Sequence, residues 1–518
     1  MILINIKKKL LSIFIILLFL YLPGCLEKNN NDFDNNVLNI GMYQDITGFY
    51  PWIVRDITSL SVNQNFFNPL VEIDNETRGI IPSLAVSWNN PDDFTWRFFL
   101  QRDVKFHNGD DFTAWDVKFT LEFLKNFSFY YDRFSSLKNI TVIDNYTIEL
   151  ETENIDYLLL YDLITVNILS EEYINSIIDK NETWPVGTGA YKLKDYVPGF
   201  RVNLERFDDY WKGAPSIKEV NFIVKNNTEE LLDGILSGEL DISPISFDDI
   251  VKIIDNDDLK LLSVETPGVV YLGFDCRINN SHAFPDGMNP TSDARVRKAM
   301  YYAINICDFI DEKMNISSRV PISQFITSNT FGYNPDINRL EYNLDEARIL
   351  MREAGYEDGF NITLDCPNSE NAIKMCQTIA DYLSLINISI ELNYMPSNDV
   401  LRELYFKNTS FYITAFSPLT AESSIRLLLH TSDMENGIGI WNYGNYSNKE
   451  VDNLYIMLNN ISDPSYRKKL IQDIFSIAME DVAWIPLYSS KAFYAVDKDI
   501  SWNPRPSLYI IVEDINFN

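Results

Sequence analysis

The side chains with the most definite chemistry are few. Cys25 follows Leu22-Pro23-Gly24, so leucine stands at −3 and glycine at −1 before a thiol. That arrangement suits a cysteine that takes up lipid once the preceding segment is cut away, and Cys25 is the expected lipidation site. The other cysteines, Cys276, Cys307, Cys366 and Cys376, make no CxxC pair of the kind zinc or redox chemistry uses. A Cys366–Cys376 loop and free buried thiols both remain open. His107, His282 and His430 are too scattered for an HxxxH or HxH site, so no self-contained zinc site and no cofactor is expected. There is no G-x-S-x-G, no H-E-x-x-H, no P-loop and no histidine beside a plausible nucleophile. An extracytoplasmic hydrolase is therefore the weaker reading. Binding without catalysis is the stronger one.

The segment before Cys25 has the build of a secretory leader. Lys7 to Lys9 precede an apolar run over 10–22, broken only by Ser12, and a polar stretch over 27–32 follows the cysteine. At about 13 residues the run is shorter than the roughly 20 a spanning helix needs. The expected division is a signal peptide over 1–24 and a lipidated cysteine with a flexible tether over 25–36. An uncleaved anchor is the alternative. Either way the body sits at the outer face of the cytoplasmic membrane, on the cell surface or in the periplasm.

Composition narrows the partners. The chain has 518 residues, 46% hydrophobic and 14% aromatic, which is more than one core accommodates and ample for two. A net charge of −31 excludes the basic footprint that nucleic acid requires. The same acidity keeps a surface protein soluble, and a monomer is expected. No later stretch reaches the length and apolarity of a membrane span.

The elements read as mixed α/β. Residues 37–42 form a first strand. Alternation over 87–101 predicts a hairpin turning at 89–93. Thr113 precedes a helix over 114–124, with Asp116 where the helix dipole favours an anion. Hairpins are expected about Asp144-Asn145 and about Pro198-Gly199. A helix over 228–237 closes at Gly238, and a short strand follows at 241–243. In the second half, strands are expected at 269–274, 362–364, 388–392 and 484–488. Helices are expected after Asp293, over 344–354 and 371–385, and through 452–479.

Several runs carry a resemblance. Pro82-Ser83-Leu84-Ala85-Val86-Ser87-Trp88 leads to Phe94-Thr95-Trp96-Arg97-Phe98-Phe99-Leu100. Val104-Lys105-Phe106-His107-Asn108-Gly109-Asp110-Asp111-Phe112-Thr113-Ala114-Trp115-Asp116-Val117 follows. Further on stand Gly187-Thr188-Gly189-Ala190-Tyr191, Glu205-Arg206-Phe207-Asp208-Asp209-Tyr210-Trp211-Lys212-Gly213, and Asp293-Ala294-Arg295-Val296-Arg297-Lys298-Ala299. In this order they resemble the family 5 solute-binding proteins of ABC importers, which serve peptides, nickel complexes and some sugars. None of these runs is itself expected to touch ligand. His107 reads as a hydrogen-bonded turn residue, and Arg295 and Arg297 as members of structural ion pairs.

The resemblance implies a bilobal, periplasmic-binding-protein-like α/β fold: two mixed lobes joined by a two-strand hinge, with an extra subdomain in lobe I. Lobe I is expected over 37–269, with the subdomain at about 69–186. Lobe II is expected over 270–484, and 485–518 returns to lobe I. The crossings are placed near 267–274 and 482–489, and Tyr271 and Tyr488 there either face the cleft or pack the hinge. The implied partners are a small solute (a peptide or a chelated metal) and an ABC permease and its ATPase as separate chains. The membrane is touched only through the lipid anchor.

Peptide-binding relatives carry an aspartate after the strand that here reads Phe411 to Phe416; Leu419 falls at that place. Glu422 stands nearby, either as a substitute or as an exposed loop carboxylate. His430 lies where nickel-binding relatives use a single histidine. Trp441 and Tyr443, among glycines in 437–446, offer flat contact surfaces or a packed loop. The expected ligand contacts are therefore Phe416, Glu422, His430, Trp441 and Tyr443, with the metal question open.

Overall fold

The computed structural model describes residues 37–518 apart from 55, 76–78, 128–133, 135, 154, 157–158, 178–183, 280, 282, 285–286, 311–318, 419, 435–436 and 462. The leader, Cys25, the tether, His282 and Leu419 lie outside the described residues.

In chain order the strands of the two larger sheets are Val37–Met42 (β1), Ala85–Asp92 (β2), Thr95–Leu100 (β3), Leu137–Asp144 (β4), Thr147–Thr152 (β5), Tyr191–Val197 (β6), Arg201–Arg206 (β7), Glu219–Val224 (β8), Ile242–Ile245 (β9), Leu259–Phe274 (β10), Arg319–Pro321 (β11), Phe360–Pro367 (β12), Ile388–Met395 (β13), Phe411–Phe416 (β14) and Trp484–Asp497 (β15). Eleven form one sheet in the order β13-β12-β14-β10-β15-β9-β1-β8-β7-β6, with β11 against β15. Four form a separate sheet, β2-β3-β5-β4. β1 lies parallel to β8 and β9, and β12 parallel to β13, while hairpins such as β6–β7 are antiparallel. The fold is mixed α/β, as expected.

The long strands β10 and β15 run antiparallel from the Leu259–Asp497 pair to the Gly273–Trp484 pair. Their register slips between Glu265 and Val269, where Pro267 has no N–H to give a ladder. Side-chain packing changes partners at the slip. Leu262 and Val264 lie against a core containing Leu38, Phe66 and Phe222. Val269 and Tyr271 lie in another, with Phe325 and Trp484. On β15, Leu487 and Tyr488 pack into the second half, while Ala492 and Tyr494 pack into the first. Two lobes with separate cores are thus joined by these two strands, which cross at 265–268 and 489–491. The two-strand hinge is that of the expected fold class. Tyr271 and Tyr488 pack the hinge: both are buried, one ring edge-on to Phe325 at 5.1 Å and the other under the Arg319 guanidinium at 4.2 Å.

The signature runs are fastenings. Thr113 caps helix Ala114–Leu124, and Asp116 returns a bond to the Thr113 N–H at 2.8 Å, closing a capping box. His107 Nε2 donates to the Gly189 carbonyl at 2.9 Å, and its Nδ1 accepts the Gly187 N–H at 3.4 Å. Burial pulls the imidazole pKa down to about 4, against the Gly189 carbonyl that favours the charged form. The glycines are required because a Cβ on Gly187 would lie 2.1 Å from the Phe66 carbonyl oxygen, and one on Gly189 2.5 Å from that of Asn65.

Four expectations are corrected. β2 runs on to Asp92, because the Asp92 carboxylate accepts from Phe94 N–H (2.9 Å) and Thr95 Oγ1 (3.1 Å) and sets the turn later than 89–93. The helical stretch over 452–479 is two helices, Lys449–Asn459 and Pro464–Glu480; Asp463 caps the second, which opens on Pro464. Arg295 does pair with Asp293 at 2.6 Å. Arg297 instead donates to the carbonyls of Val482, Thr291, Ser292 and Asp481, so it ties helix Ala294–Ala303 to the start of β15 through backbone. Finally, Glu422 is no exposed loop carboxylate but is 1% exposed. Cys366 and Cys376, left open above, are joined as a disulfide between β12 and helix Glu370–Ser384.

Candidate functional site

A cavity of about 580 Å3 lies where the two lobes meet. Phe67, Asn68 and Glu72 line it from the first lobe, Pro267 from the crossing, Thr327 and Pro418 from the second lobe, and Arg505 and Glu513 from the C-terminal return.

Local structure explains how each wall is held. Asp56 caps helix Ile57–Asn63 by accepting the Ser59 N–H at 2.8 Å, and the turn after this helix carries Phe67 and Asn68. Asn68 Oδ1 accepts from Thr188 Oγ1 and from Trp211 Nε1, both at 3.1 Å. Tyr210, beside that tryptophan, donates its hydroxyl to Glu513 at 3.0 Å. Lys212 stands between Glu72 (3.4 Å) and Glu513 (3.6 Å). The Tyr210-Trp211-Lys212 run therefore braces the cavity wall and supplies one of its cations. Arg505 forms a fork with Asp514 at 2.5 and 2.8 Å.

The lining holds four carboxylates (Glu72, Asp74, Glu513, Asp514) and two cations (Lys212, Arg505). Burial pushes the Glu513 carboxyl up from its ordinary value, with Lys212 pulling it back. A wall with surplus negative charge favours a cationic group over an anionic one.

The lobes also touch directly. Residues Ile425–Leu429 wind as a π turn, in which the His430 N–H donates to the Ile425 carbonyl five residues back at 3.0 Å. The turn carries Arg426 to 3.6 Å from Asp162 of helix Leu159–Leu163, on the first lobe. At the crossing, Glu265 accepts from Ser489 Oγ (2.7 Å) and from Ser328 Oγ (3.2 Å).

The residues expected as contacts lie together in the second lobe, outside the wall of this cavity. Phe416 ends β14 and is 8% exposed, edge-on to Trp441 at 5.2 Å. Tyr443 packs against Tyr412 at 6.4 Å. Glu422 sits in helix Ala421–Ser424, 3.2 Å from Arg467. His430 Nδ1 donates to the Thr431 carbonyl at 2.7 Å; the ring is edge-on to Tyr455 at 5.0 Å, and Asp452 lies 3.6 Å away. Among the described residues no three His, Cys, Asp or Glu side chains are grouped to hold a metal. Pro418, two positions beyond Phe416, does reach the cavity. Sequence reasoning passed over Asn68, Lys212, Arg505 and Glu513. The Tyr-Trp-Lys run was visible as a signature, whereas Arg505 and Glu513 had no local signal and arrive only because β15 returns the chain to the first lobe.

Comparison with known proteins agrees with this fold. The pattern of the bacterial extracellular solute-binding proteins, family 5, matches residues 79–436. A glutathione-binding protein, GsiB of Salmonella choleraesuis (strain SC-B67), is 24% identical over 479 residues, spanning 89% of this chain and 90% of its own length. A dipeptide-binding protein of Escherichia coli (strain K12) is 26% identical over 367 residues, 64% of this chain and 66% of the relative. Among solved structures, HbpA2 from Haemophilus parasuis superposes with a TM-score of 0.82 at 19% identity, covering 93% of this chain and all of that one. DppA from Helicobacter pylori, in complex with the peptide STSA, superposes at 0.71 with 20% identity, covering 93% and 98%.

Proposed function

The chain belongs to the family 5 bacterial extracellular solute-binding proteins, and from that premise we propose that it captures a short peptide, or a solute of similar chemistry, for an ABC importer. The observation that carries this reading is the cavity between the lobes. Its volume of about 580 Å3 is that of a small-ligand site, and neither lobe builds it alone. Its surplus of carboxylates suits an ammonium group, and relatives named for glutathione and dipeptides support a solute of that class.

Closure of one lobe on the other about the β10–β15 crossing encloses the solute. Ligand that touches both walls favours the closed form by its differential affinity for it. Phe416 and Trp441, packed on one another, present the 417–418 segment to the cavity; Tyr443 supports them from Tyr412. Glu422, through Arg467, holds the short helix that leads into the π turn, and His430 fastens the end of that turn. The leader is removed, Cys25 carries lipid, and the body stands outside the cytoplasmic membrane. The permease and its ATPase are separate chains. Among the described residues no helix is long and apolar enough to cross a membrane.

Native mass spectrometry with metal analysis, on the body from Leu26 purified gently, tests this reading. Co-purifying short peptides, or stoichiometric uptake from a peptide library after stripping, is the expected result. Stoichiometric nickel with a small chelator would move the assignment to metal uptake and to His430. A stripped chain that takes up no peptide would refute it.

A further inference from the structure

Besides the two crossing strands, the lobes meet through one ion pair, and both of its sides are firmly held. On the first lobe, helix Leu159–Leu163 buries Leu159, Leu160 and Leu163 in the core, and its Leu159 N–H donates to the Asp156 carboxylate at 3.1 Å. Thr165 then closes the helix by donating its N–H and hydroxyl to the Asp162 carbonyl, at 3.1 and 2.8 Å. Asp162 therefore moves only with its lobe. On the second lobe, the π turn Ile425–Leu429 buries Ile425, Leu428 and Leu429. Its Arg426 and Leu427 carbonyls accept the N–H groups of Gly439 (2.7 Å) and Trp441 (3.0 Å). A π turn is rare and is found mostly at functional sites. Here it carries Arg426 to 3.6 Å from Asp162, with side chains 15% and 14% exposed. Two tyrosines flank the pair, each in the field of the opposite lobe. Burial raises the Tyr161 hydroxyl pKa, the Glu422 carboxylate of the second lobe adds to the rise, and Arg467 opposes it. Burial also raises that of Tyr455, where Arg426 opposes and Asp156 and Asp162 of the first lobe add. Ile164, two residues beyond Asp162, lines the cavity together with Pro418, so the contact borders it.

We propose that Arg426 and Asp162 form an ionic latch that biases the solute-free protein toward the closed form. The inference rests on motion of the lobes about the β10–β15 crossing and not on the identity of the solute. Opening returns both charges to water, so the intact pair biases the balance without locking it. Removing one charge acts differently. In the closed form the other charge stays enclosed without the partner it meets there, and opening relieves it. Each single substitution should therefore favour the open form, and exchanging the two charges should restore closure. A chain already biased toward closure presents its solute with a larger competent fraction, which the latch would set before any solute arrives.

The test uses the ligand-stripped chain, so it does not depend on the peptide reading. Small-angle scattering and hydroxyl-radical footprinting would compare the native chain, Asp162→Asn, Arg426→Gln, and the exchange of Asp162→Arg with Arg426→Asp. Each single substitution should move the closed-to-open ratio about tenfold or more toward open. The radius of gyration should rise, and Tyr161 and Tyr455 should be oxidised faster. Tyr191 and Tyr412, buried in the first and second lobes, should be oxidised as in the native chain. The double exchange should bring both readouts back toward native. Single variants that match the native chain in radius and in oxidation of Tyr161 would overturn the inference. So would opening that the double exchange does not reduce, since each side chain would then matter only to its own lobe. Faster oxidation of Tyr191 or Tyr412 as well would mean unfolding in place of opening and would also overturn it. None of these outcomes bears on which solute the cavity takes.

Discussion

His107 gives the fold a pH dependence whose size follows from its surroundings. The ring lies between Gly187 and Gly189, donating from Nε2 and accepting at Nδ1, which requires the neutral imidazole. Its pKa is lowered to about 4 by burial, against about 6.5 in the unfolded chain. A histidine whose folded pKa is depressed binds its proton better when unfolded. Its contribution is therefore complete above pH 6.5 and is lost as pH falls towards 4. At pH 5 the unfolded ring is almost wholly protonated and the folded one about a tenth so, which costs about 2 kcal/mol relative to pH 8. Below pH 4 the loss approaches about 3 kcal/mol. Asp241 acts in the opposite sense: burial raises its carboxyl to about 6, so its contribution is largest at low pH and is lost as pH rises through 6. The test must therefore compare variants. Urea unfolding of the native chain and of His107→Gln, each at pH 8 and pH 5, isolates the imidazole, since glutamine keeps a donor for Gly189 and does not titrate. The native chain should lose about 2 kcal/mol more than the variant between the two pH values. Equal losses, within about 0.5 kcal/mol, would refute the reasoning; that margin is set against the linkage term.

Other substitutions probe the remaining fastenings. Glu422→Ala removes the carboxylate that pairs with the buried Arg467 guanidinium at 3.2 Å and should cost about 3–5 kcal/mol in denaturant unfolding. Gly187→Ala drives a methyl into the Phe66 carbonyl and should cost at least about 3 kcal/mol or prevent folding. Gly199→Ala meets no atom and has only its φ of +72° to oppose it, so about 1 kcal/mol is expected from the same measurement. Reducing Cys366–Cys376 frees a loop with a sequence separation of 10 and should lower stability by about 2–3 kcal/mol, read as a lower thermal midpoint in reductant.

Local signals carried most of the fold. The capping box at Thr113 and Asp116, the turn at Pro198-Gly199 and the Gly238 helix stop need only neighbours in sequence, and each stands as read. The errors arise where a side chain's partner is distant or its role depends on one. Arg297 looked like half of an ion pair, but its carbonyl partners at 481–482 come from the far end of the second lobe. Glu422 looked exposed because Arg467, 45 residues later, cannot be seen from its neighbourhood. The cavity was the least legible part. Its walls combine 67–72, 212, 267, 327, 418 and 505–514, a set that exists only once β10 and β15 bring the two lobes together.

The most direct test of the account is a crystal structure of the chain with a peptide that it binds stoichiometrically. The peptide is predicted between the lobes, its ammonium group on the wall that carries Glu72 and Glu513 and its backbone beside Pro418. A peptide bound at full occupancy elsewhere, with the cavity between the lobes holding solvent alone, would contradict it.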